Sequence, residues 1–238
     1  EYTTVHHFYD QMCPPCAELN FRKRTETADL RGRVALLTGG RVKIGYQAGL
    51  KLLRAGASLI VTTRFARDCA QRYAQEPDFE HWRHRLQVYG LDLRHTPSVE
   101  AFCAELVATR DRLDFIINNA CQTVRRPPAF YAHMMASETR AGHELPEHVR
   151  RLVGSYEGLR AADLLPDGGG ALVDGRAAAT PAGLARAAEL SQVPLLADDL
   201  LGQAHLFPQG RLDQDLQQVD LRGRNWSTPS PRSSSTQG

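Results

Sequence analysis

The sequence predicts an α/β fold built on a doubly wound parallel sheet, and two observations support this prediction. Between residues 33 and 120, short apolar runs alternate four times with segments of helical periodicity. Consecutive runs are far enough apart for crossover connections, which join parallel strands in the right-handed sense. The runs are also short and continuous, as in strands that are buried on both faces of a sheet.

The predicted elements follow one another in a regular order. The first strand, Val34–Thr38, leads through a glycine-bearing turn into a helix that ends at Gly56, a residue type that favours helix C-termini. The later elements are strand Ser58–Thr63, helix Ala66–Ala74, strand Leu86–Leu93, a helix with Thr96 as N-cap and Pro97 in its first turn, and strand Leu113–Ala120.

Beyond Cys121 the regular alternation ends. The stretch "TVRRPPAFY" predicts a proline-bearing loop, and residues 135–165 have room for one or two helices. The segments "PAGLARAAELSQV" and "LLADDLLGQAHLF" are compatible with further helices. No convincing strand follows residue 120, so we expect the sheet to be incomplete and the C-terminal part to be irregular or helical.

Composition excludes several function classes. A chain of 238 residues buries one sizeable core or two small ones, and a formal charge of +2 is too small to indicate nucleic-acid binding. No run of 18 apolar residues occurs, so no membrane span is expected. The N-terminus lacks the pattern of a signal peptide, and five scattered cysteines do not indicate a disulfide framework. We therefore expect a reducing, cytoplasmic setting.

The segment "TGGRVKIG", Thr38 to Gly45, joins the first strand to the first helix of the sheet. A strand, a tight glycine turn and a helix N-terminus together direct backbone N–H groups and a positive dipole toward one point. Such a point suits a pyrophosphate group. Without a ligand, the same segment is an ordinary strand–turn–helix connection.

This turn resembles that of the short-chain dehydrogenase/reductase family, written T-G-x-x-x-G-[IL]-G. Thr38, Gly39, Ile44 and Gly45 match it, whereas Lys43 stands in place of the middle glycine. The Lys43 side chain would either crowd a cofactor or bring its ammonium group to a phosphate. The resemblance implies a Rossmann-like sheet and a nicotinamide dinucleotide cofactor, and it covers about residues 33–125.

The end of the second predicted strand indicates which dinucleotide is preferred. An acidic residue there binds the ribose hydroxyls of NAD, whereas an arginine accommodates a 2′-phosphate. The sequence "VTTRF" has no acid and carries Arg64 at this point, and Arg41 in the turn could assist. NADP(H) is therefore favoured over NAD(H). The alternative is that Arg64 is an ordinary surface arginine.

Two later motifs extend the resemblance. "GLDLRH" supplies Asp92 and Leu93 after the third strand, where the family places the adenine ring. "NNA" supplies Asn118, Asn119 and Ala120 at the end of the fourth strand, where the family's N-N-A-G lines the cofactor. Cys121 replaces the glycine of that motif.

The family's catalytic motif, Y-x-x-x-K, is absent from the chain. Its lysine lowers the pKa of the tyrosine, which then exchanges a proton with the substrate while hydride moves. The last lysine is Lys51, so neither Tyr131 nor Tyr156 has a lysine downstream. Arg160 stands at the required spacing from Tyr156, but arginine stays charged and relays protons poorly. We therefore predict no catalytic residues.

We divide the chain into an N-terminal arm (1–32), a Rossmann-type dinucleotide-binding region (33–125), a helical or loop region (126–221) and a disordered tail (222–238) rich in Ser, Pro, Thr and Gly. We expect a truncated or alternative product whose catalytic half is missing. Its fourth strand would then have an unpaired edge, a liability unless residues 127–220 cover it.

Two function classes follow. The first is an NADP(H)-binding member of the family, whose full-length form is an oxidoreductase on a carbonyl or alcohol substrate. The second is a non-catalytic regulatory or interaction protein that uses the fold as a scaffold.

The motif "CPPC" in the N-terminal arm offers a separate, weaker possibility. Cys13 and Cys16, with His6 and His7, could bind zinc, but no second cysteine pair has matching spacing. The flanking sequence does not predict a redox unit, so free thiols are the expected state and no metal is predicted. The oligomeric state is left open.

Overall fold

The computed structural model of the protein describes residues 3–121, 126–140, 142–157, 187–194, 196–200, 204–213, 215 and 217–222. All structural statements below concern these residues. Arg160 and nearly all of the tail that is predicted to be disordered lie outside them. In the described part of the chain, no helix has both the length and the apolar character that a membrane crossing requires.

Four parallel strands form one sheet in the order β3-β2-β1-β4. The strands are β1 (Val34–Thr38), β2 (Ser58–Thr63), β3 (Leu86–Gly90) and β4 (Phe115–Ile117). Their parallel pairing, with a helix in each crossover, confirms the predicted α/β class and the incomplete doubly wound sheet. All four strands end at the same edge of the sheet.

Eight α-helices occur in the described residues. They are α1 (Pro14–Thr25), α2 (Lys43–Arg54), α3 (Ala66–Ala74), α4 (Phe79–Trp82), α5 (Thr96–Thr109), α6 (Pro128–Glu138), α7 (Glu147–Leu152) and α8 (Ala187–Leu190). Short 3-10 helices occur at Arg83–Arg85, Gly142–Glu144, Ala197–Leu200 and Ala204–Leu206.

The core explains why the central strands are continuous apolar runs. Leu37 of β1 and Val61 of β2 are fully buried, because helices cover both faces of the sheet. Helix α2 adds Leu50 and Leu53, which lie three residues apart on the face that packs on the sheet.

The boundaries of four elements differ from the sequence prediction. Strands β3 and β4 are shorter than predicted, because their carboxyl ends bend into loops at the edge of the sheet. The N-cap of α5 is His95 rather than Thr96, and the His95 ring accepts the backbone N–H of Ser98. Pro128 begins α6 where a loop was predicted. Proline is tolerated there because the backbone N–H that it lacks would have no partner within the helix in the first turn.

The edge strand β4 is uncovered in the described part of the chain. It pairs with β1 only, and Phe115 and Ile116 are 40% and 60% exposed. Helices α6 and α7 pack against α3 on the opposite side, near β3. Among the described residues, β4 has no strand partner other than β1.

Candidate functional site

The turn between β1 and α2 is held in place by close backbone packing. Gly39 has φ +70°, and a Cβ there would lie 2.9 Å from Cα of Ala120. A Cβ on Gly45 would lie 2.3 Å from the Gly39 carbonyl oxygen and 2.5 Å from Nδ2 of Asn119. Only glycine fits either position, so the two matched glycines are required by the fold itself, whether or not a ligand binds.

Thr38 and Asn119 lock the turn to the end of β4. The Thr38 hydroxyl accepts the backbone N–H groups of Asn119 and Ala120, at 3.1 and 3.0 Å. The Asn119 side-chain amide donates to the carbonyl oxygens of Thr38 and Gly39, each at 3.1 Å. The sequence placed these residues at the ends of separate strands, and the structure brings them together at one point.

Lys43 adopts the left-handed backbone conformation, with φ 53°. This conformation is strained for a residue with a Cβ and free of strain for glycine, which accounts for a glycine in the family pattern at this position. The Lys43 ammonium points out of the turn to the Asp215 carboxylate, 3.6 Å away. The side chain is therefore half-exposed and ion-paired rather than folded into the turn.

The first turn of α2 offers unused backbone donors. Its N-cap, Val42, has no side-chain acceptor, and the N–H groups of Ile44 and Gly45 have no acceptor among the described residues. Ile44 is 79% exposed, whereas Gly45 is buried. A pyrophosphate fits this donor set and its helix dipole.

The two arginines predicted near a 2′-phosphate both have protein partners. Arg41 is buried, and its Nη1 lies 2.7 Å from Oδ2 of Asp68 and 3.2 Å from Sδ of Met134. Arg64 donates from Nη2 to the Tyr131 hydroxyl at 2.9 Å. Neither guanidinium group is therefore free.

Asp68 has an unusual environment at this end of the sheet. It also accepts from Nε of Arg72 at 2.7 Å. Burial alone would raise its pKa, but the charges of Arg41 and Arg72 hold that pKa below the ordinary value. Asp68 is therefore ionised at neutral pH and fixes both arginines.

Asp92 is buried at the end of β3 and already paired. Its carboxylate accepts from Nε and Nη2 of Arg94, at 2.9 and 2.5 Å. Burial would raise the pKa of Asp92, and the bonds from Arg94 lower it below its ordinary value. Leu93 beside it is 46% exposed, and Asn118 at the end of β4 is exposed as well.

Tyr46, Tyr131 and Tyr156 each contact other protein groups in the described residues. Tyr156 is buried against the backbone of β3, where a Cβ on Gly90 would lie 2.3 Å from its Cζ. The Tyr46 hydroxyl is bonded to Glu76, and burial together with that carboxylate raises its pKa well above the ordinary value. Tyr131 is held by Arg64.

The "CPPC" motif lies at the start of helix α1. Cys13 is the N-cap of α1, and Cys16 lies in the first turn. The Cys16 backbone N–H and thiol lower the pKa of Cys13. All five cysteines are free, and the described residues contain no group of three or more potential metal ligands.

The sequence did not identify Tyr131, Met134 and Glu138 of α6 as neighbours of the site. Their spacing of three and four residues marks one helical face, a signal that was available once the proline was taken as a helix start. The sequence does not indicate which strand end that face would cover.

The region that contains this site is similar to known dehydrogenases. Residues 33–139 match the family model described as short chain dehydrogenase. Uncharacterized protein R665 of Acanthamoeba polyphaga mimivirus is 39% identical over 127 residues, which are 51% of this chain and 27% of that protein. Dehydrogenase/reductase SDR family member 13 of Bos taurus is 33% identical over 118 residues, which are 48% of this chain and 29% of that protein.

The chain thus spans less than a third of the length of these two relatives. A solved structure, the Pseudomonas aeruginosa RhlG/NADP active-site complex, is 28% identical with a TM-score of 0.34. That match covers 45% of this chain and 42% of the other.

Proposed function

We propose, from the match of residues 33–139 to the short chain dehydrogenase family model, that the chain binds a nicotinamide dinucleotide at the carboxyl ends of β1–β4. The observation that carries the proposal is the pair of unused N–H donors at the start of α2. Ile44 and Gly45 would hold the pyrophosphate there. Thr38, Gly39 and Asn119 would keep the turn in shape.

The proposed cofactor is NADP(H) rather than NAD(H). No carboxylate stands directly after β2, the position at which an acidic residue would bind both ribose hydroxyls. Arg64, with Arg41 beside it, would supply the positive charge that a 2′-phosphate requires. A nucleotide does not fit beside Arg64 in this conformation, because the Arg64 guanidinium already donates a hydrogen bond to the Tyr131 hydroxyl.

The other predicted residues complete the proposed cleft. Asp92 and Leu93 would lie at the adenine ring. Asn118 and Ala120 would lie along the ribose and nicotinamide side. Asn118 is exposed, so its amide is accessible to a ligand.

When bound, the nicotinamide ring supplies or accepts a hydride. The matching proton transfer needs a tyrosine and a lysine, and the sequence has no Y-x-x-x-K. We propose that this chain binds the cofactor without turning over a substrate, whereas the full-length protein is an oxidoreductase on a carbonyl or alcohol.

The second candidate function is that of a regulatory or interaction protein that keeps the fold without a cofactor. Two observations favour this function. Lys43 stands in place of the usual glycine and has a strained backbone conformation. The guanidinium groups of Arg41 and Arg64 are already hydrogen-bonded to other protein groups.

Calorimetric titration of NADPH and NADH into the purified chain separates the two functions. We expect NADPH to bind more tightly than NADH, and Arg64→Ala to reduce the ratio of the two affinities about tenfold, since it removes one charge-assisted contact. Arg31→Ala, a change at an exposed arginine paired with Asp29, is the matched control and should leave the ratio unchanged. If neither nucleotide binds, the regulatory function is supported instead.

A further inference from the structure

Helix α6 lies across the carboxyl end of β2, where the proposed 2′-phosphate site is located. The Tyr131 ring lies 4.7 Å from the guanidinium carbon of Arg64, and its hydroxyl accepts the 2.9 Å bond from Nη2. The same ring packs 5.0 Å from that of Phe65. Tyr131 therefore contacts one face of the Arg64 guanidinium with its ring and accepts one of its hydrogen bonds with its hydroxyl.

Two more residues on the same face of α6 hold it in this position. Met134 accepts from Arg41, and the Glu138 carboxylate accepts the backbone N–H of Asp68 at 2.9 Å, at the start of α3. Tyr131, Met134 and Glu138 have the spacing of one helical face. This face of α6 therefore contacts the carboxyl end of β2 and the start of α3.

A second layer supports α6 from outside. Phe130 packs edge-on against Phe207 at 5.8 Å, and Ala188 of α8 is buried in the same cluster. The Leu190 carbonyl accepts from Nη2 of Arg94, at 3.3 Å, beside the proposed adenine position. The chain's own C-terminal region therefore covers the ends of both β2 and β3.

We propose that the face formed by Tyr131, Met134 and Glu138, here named the α6 cap, is an intramolecular competitor for the adenosine end of the cleft. This inference rests on the proposed function. A phosphate accepts from a guanidinium more strongly than a neutral phenol does, so a 2′-phosphate can displace Tyr131. The cap lowers the apparent affinity by the fraction of molecules in which it is open.

The cap acts on one end of the cleft only. The N–H groups of Ile44 and Gly45 lie outside the contacts of α6 in the described residues. A ligand for the turn alone therefore binds without moving the cap, whereas a ligand for the adenosine end must displace it. The two kinds of ligand report on the cap and on the turn separately.

The test uses the full chain and two probes, adenosine 2′,5′-bisphosphate and inorganic pyrophosphate, with affinities measured by calorimetry. Tyr131→Ala should bind the bisphosphate about tenfold more tightly than the wild type and pyrophosphate equally well. Tyr131→Phe, which removes only the acceptor, should bind the bisphosphate about threefold more tightly. Tyr9→Ala, in the N-terminal arm, is the matched control and should change neither affinity.

Hydrogen exchange gives a readout that is independent of affinity. Adding the bisphosphate to the wild type should speed amide exchange in residues 128–138, and adding pyrophosphate should not. If Tyr131→Ala does not fold, the bisphosphate affinity of Tyr131→Phe and the exchange rates of the wild type test the cap instead. The cap proposal is wrong if neither the affinity nor the exchange rates change.

The outcomes separate this inference from the proposed function. Equal bisphosphate affinities for the wild type and both Tyr131 variants overturn the cap and leave cofactor binding intact. If the bisphosphate and NADPH bind to no variant, both proposals are wrong.

Discussion

The two ends of the cleft are built from different parts of the chain, and they differ in how much of their binding capacity is free. The turn end consists of backbone donors, and those of Ile44 and Gly45 are unused in the described residues. The adenosine end consists of charged side chains, and Arg41, Arg64 and Asp92 are each held by another protein group.

This difference follows from how each kind of site is made. Backbone donors are positioned by local packing around Gly39 and Gly45, so their direction does not depend on where distant segments such as α6 pack. Long side chains adapt, and any segment that docks on the end of β2 can engage their guanidinium groups. A substitution at one end should therefore leave ligand binding at the other end intact.

The largest effect is expected from Asp68→Ala at the adenosine end. The change leaves Arg41 and Arg72 partly buried without their shared carboxylate, which should lower the free energy of unfolding by about 3 kcal/mol. Urea unfolding measures this loss. Asp29→Ala, which breaks an exposed ion pair with Arg31, is the control and should cause no measurable loss. Equal losses would show that the pair at the adenosine end is no more than a surface contact.

Gly45→Ala should produce the next largest effect, at the turn end. The new methyl group would lie 2.3 Å from a backbone oxygen that cannot move away, so we expect a loss of about 2 kcal/mol and of pyrophosphate binding. Gly154→Ala is the matched control, because a Cβ at Gly154 meets nothing within 4 Å. A Gly45→Ala variant as stable as this control would mean that the turn can open.

The sequence predicted one end of the cleft better than the other for a physical reason. The turn depends on local geometry, and Gly39 and Gly45 could be identified from the strand and helix around them. Met134 and Tyr131, which accept from Arg41 and Arg64, lie on α6, dozens of residues away, and these contacts arise only when that helix packs on α3. The parallel class of the sheet and the unpaired edge of β4 were predicted from the sequence, whereas the packing of α6 and α7 on α3 was not.

The link between α6 and α3 should weaken as pH rises. Burial raises the pKa of Glu138 to about 7, although the backbone N–H groups of Asp68 and Arg67 act in the opposite direction. The folded state therefore binds this proton more tightly than the unfolded state does. Stability from Glu138 is greatest at pH 4 and falls as pH rises through about 7.

We expect the wild type to lose about 2 kcal/mol more than Glu138→Gln between pH 5 and pH 8. Thermal unfolding of both proteins at the two pH values measures the difference, and contributions from Asp68 and His133 cancel between them. A parallel pH dependence in the two proteins would exclude Glu138 as the responsible group.

The smallest effect concerns Lys43, the residue at which the turn departs from its family pattern. The left-handed conformation of Lys43 costs about 1 kcal/mol for a residue with a Cβ. Replacing Lys43 by glycine removes this cost, but the greater entropy of glycine in the unfolded chain cancels part of the gain in stability. Lys43→Gly should therefore raise the free energy of unfolding by about 0.5 kcal/mol, since its exposed ion pair with Asp215 contributes little. Lys51→Gly, later in the same helix, should instead lower it by about 1 kcal/mol because its backbone is helical. Opposite signs for the two substitutions in urea unfolding would identify the backbone of Lys43 as the source of the strain, and a loss at both positions would show that the Lys43 side chain stabilises the turn.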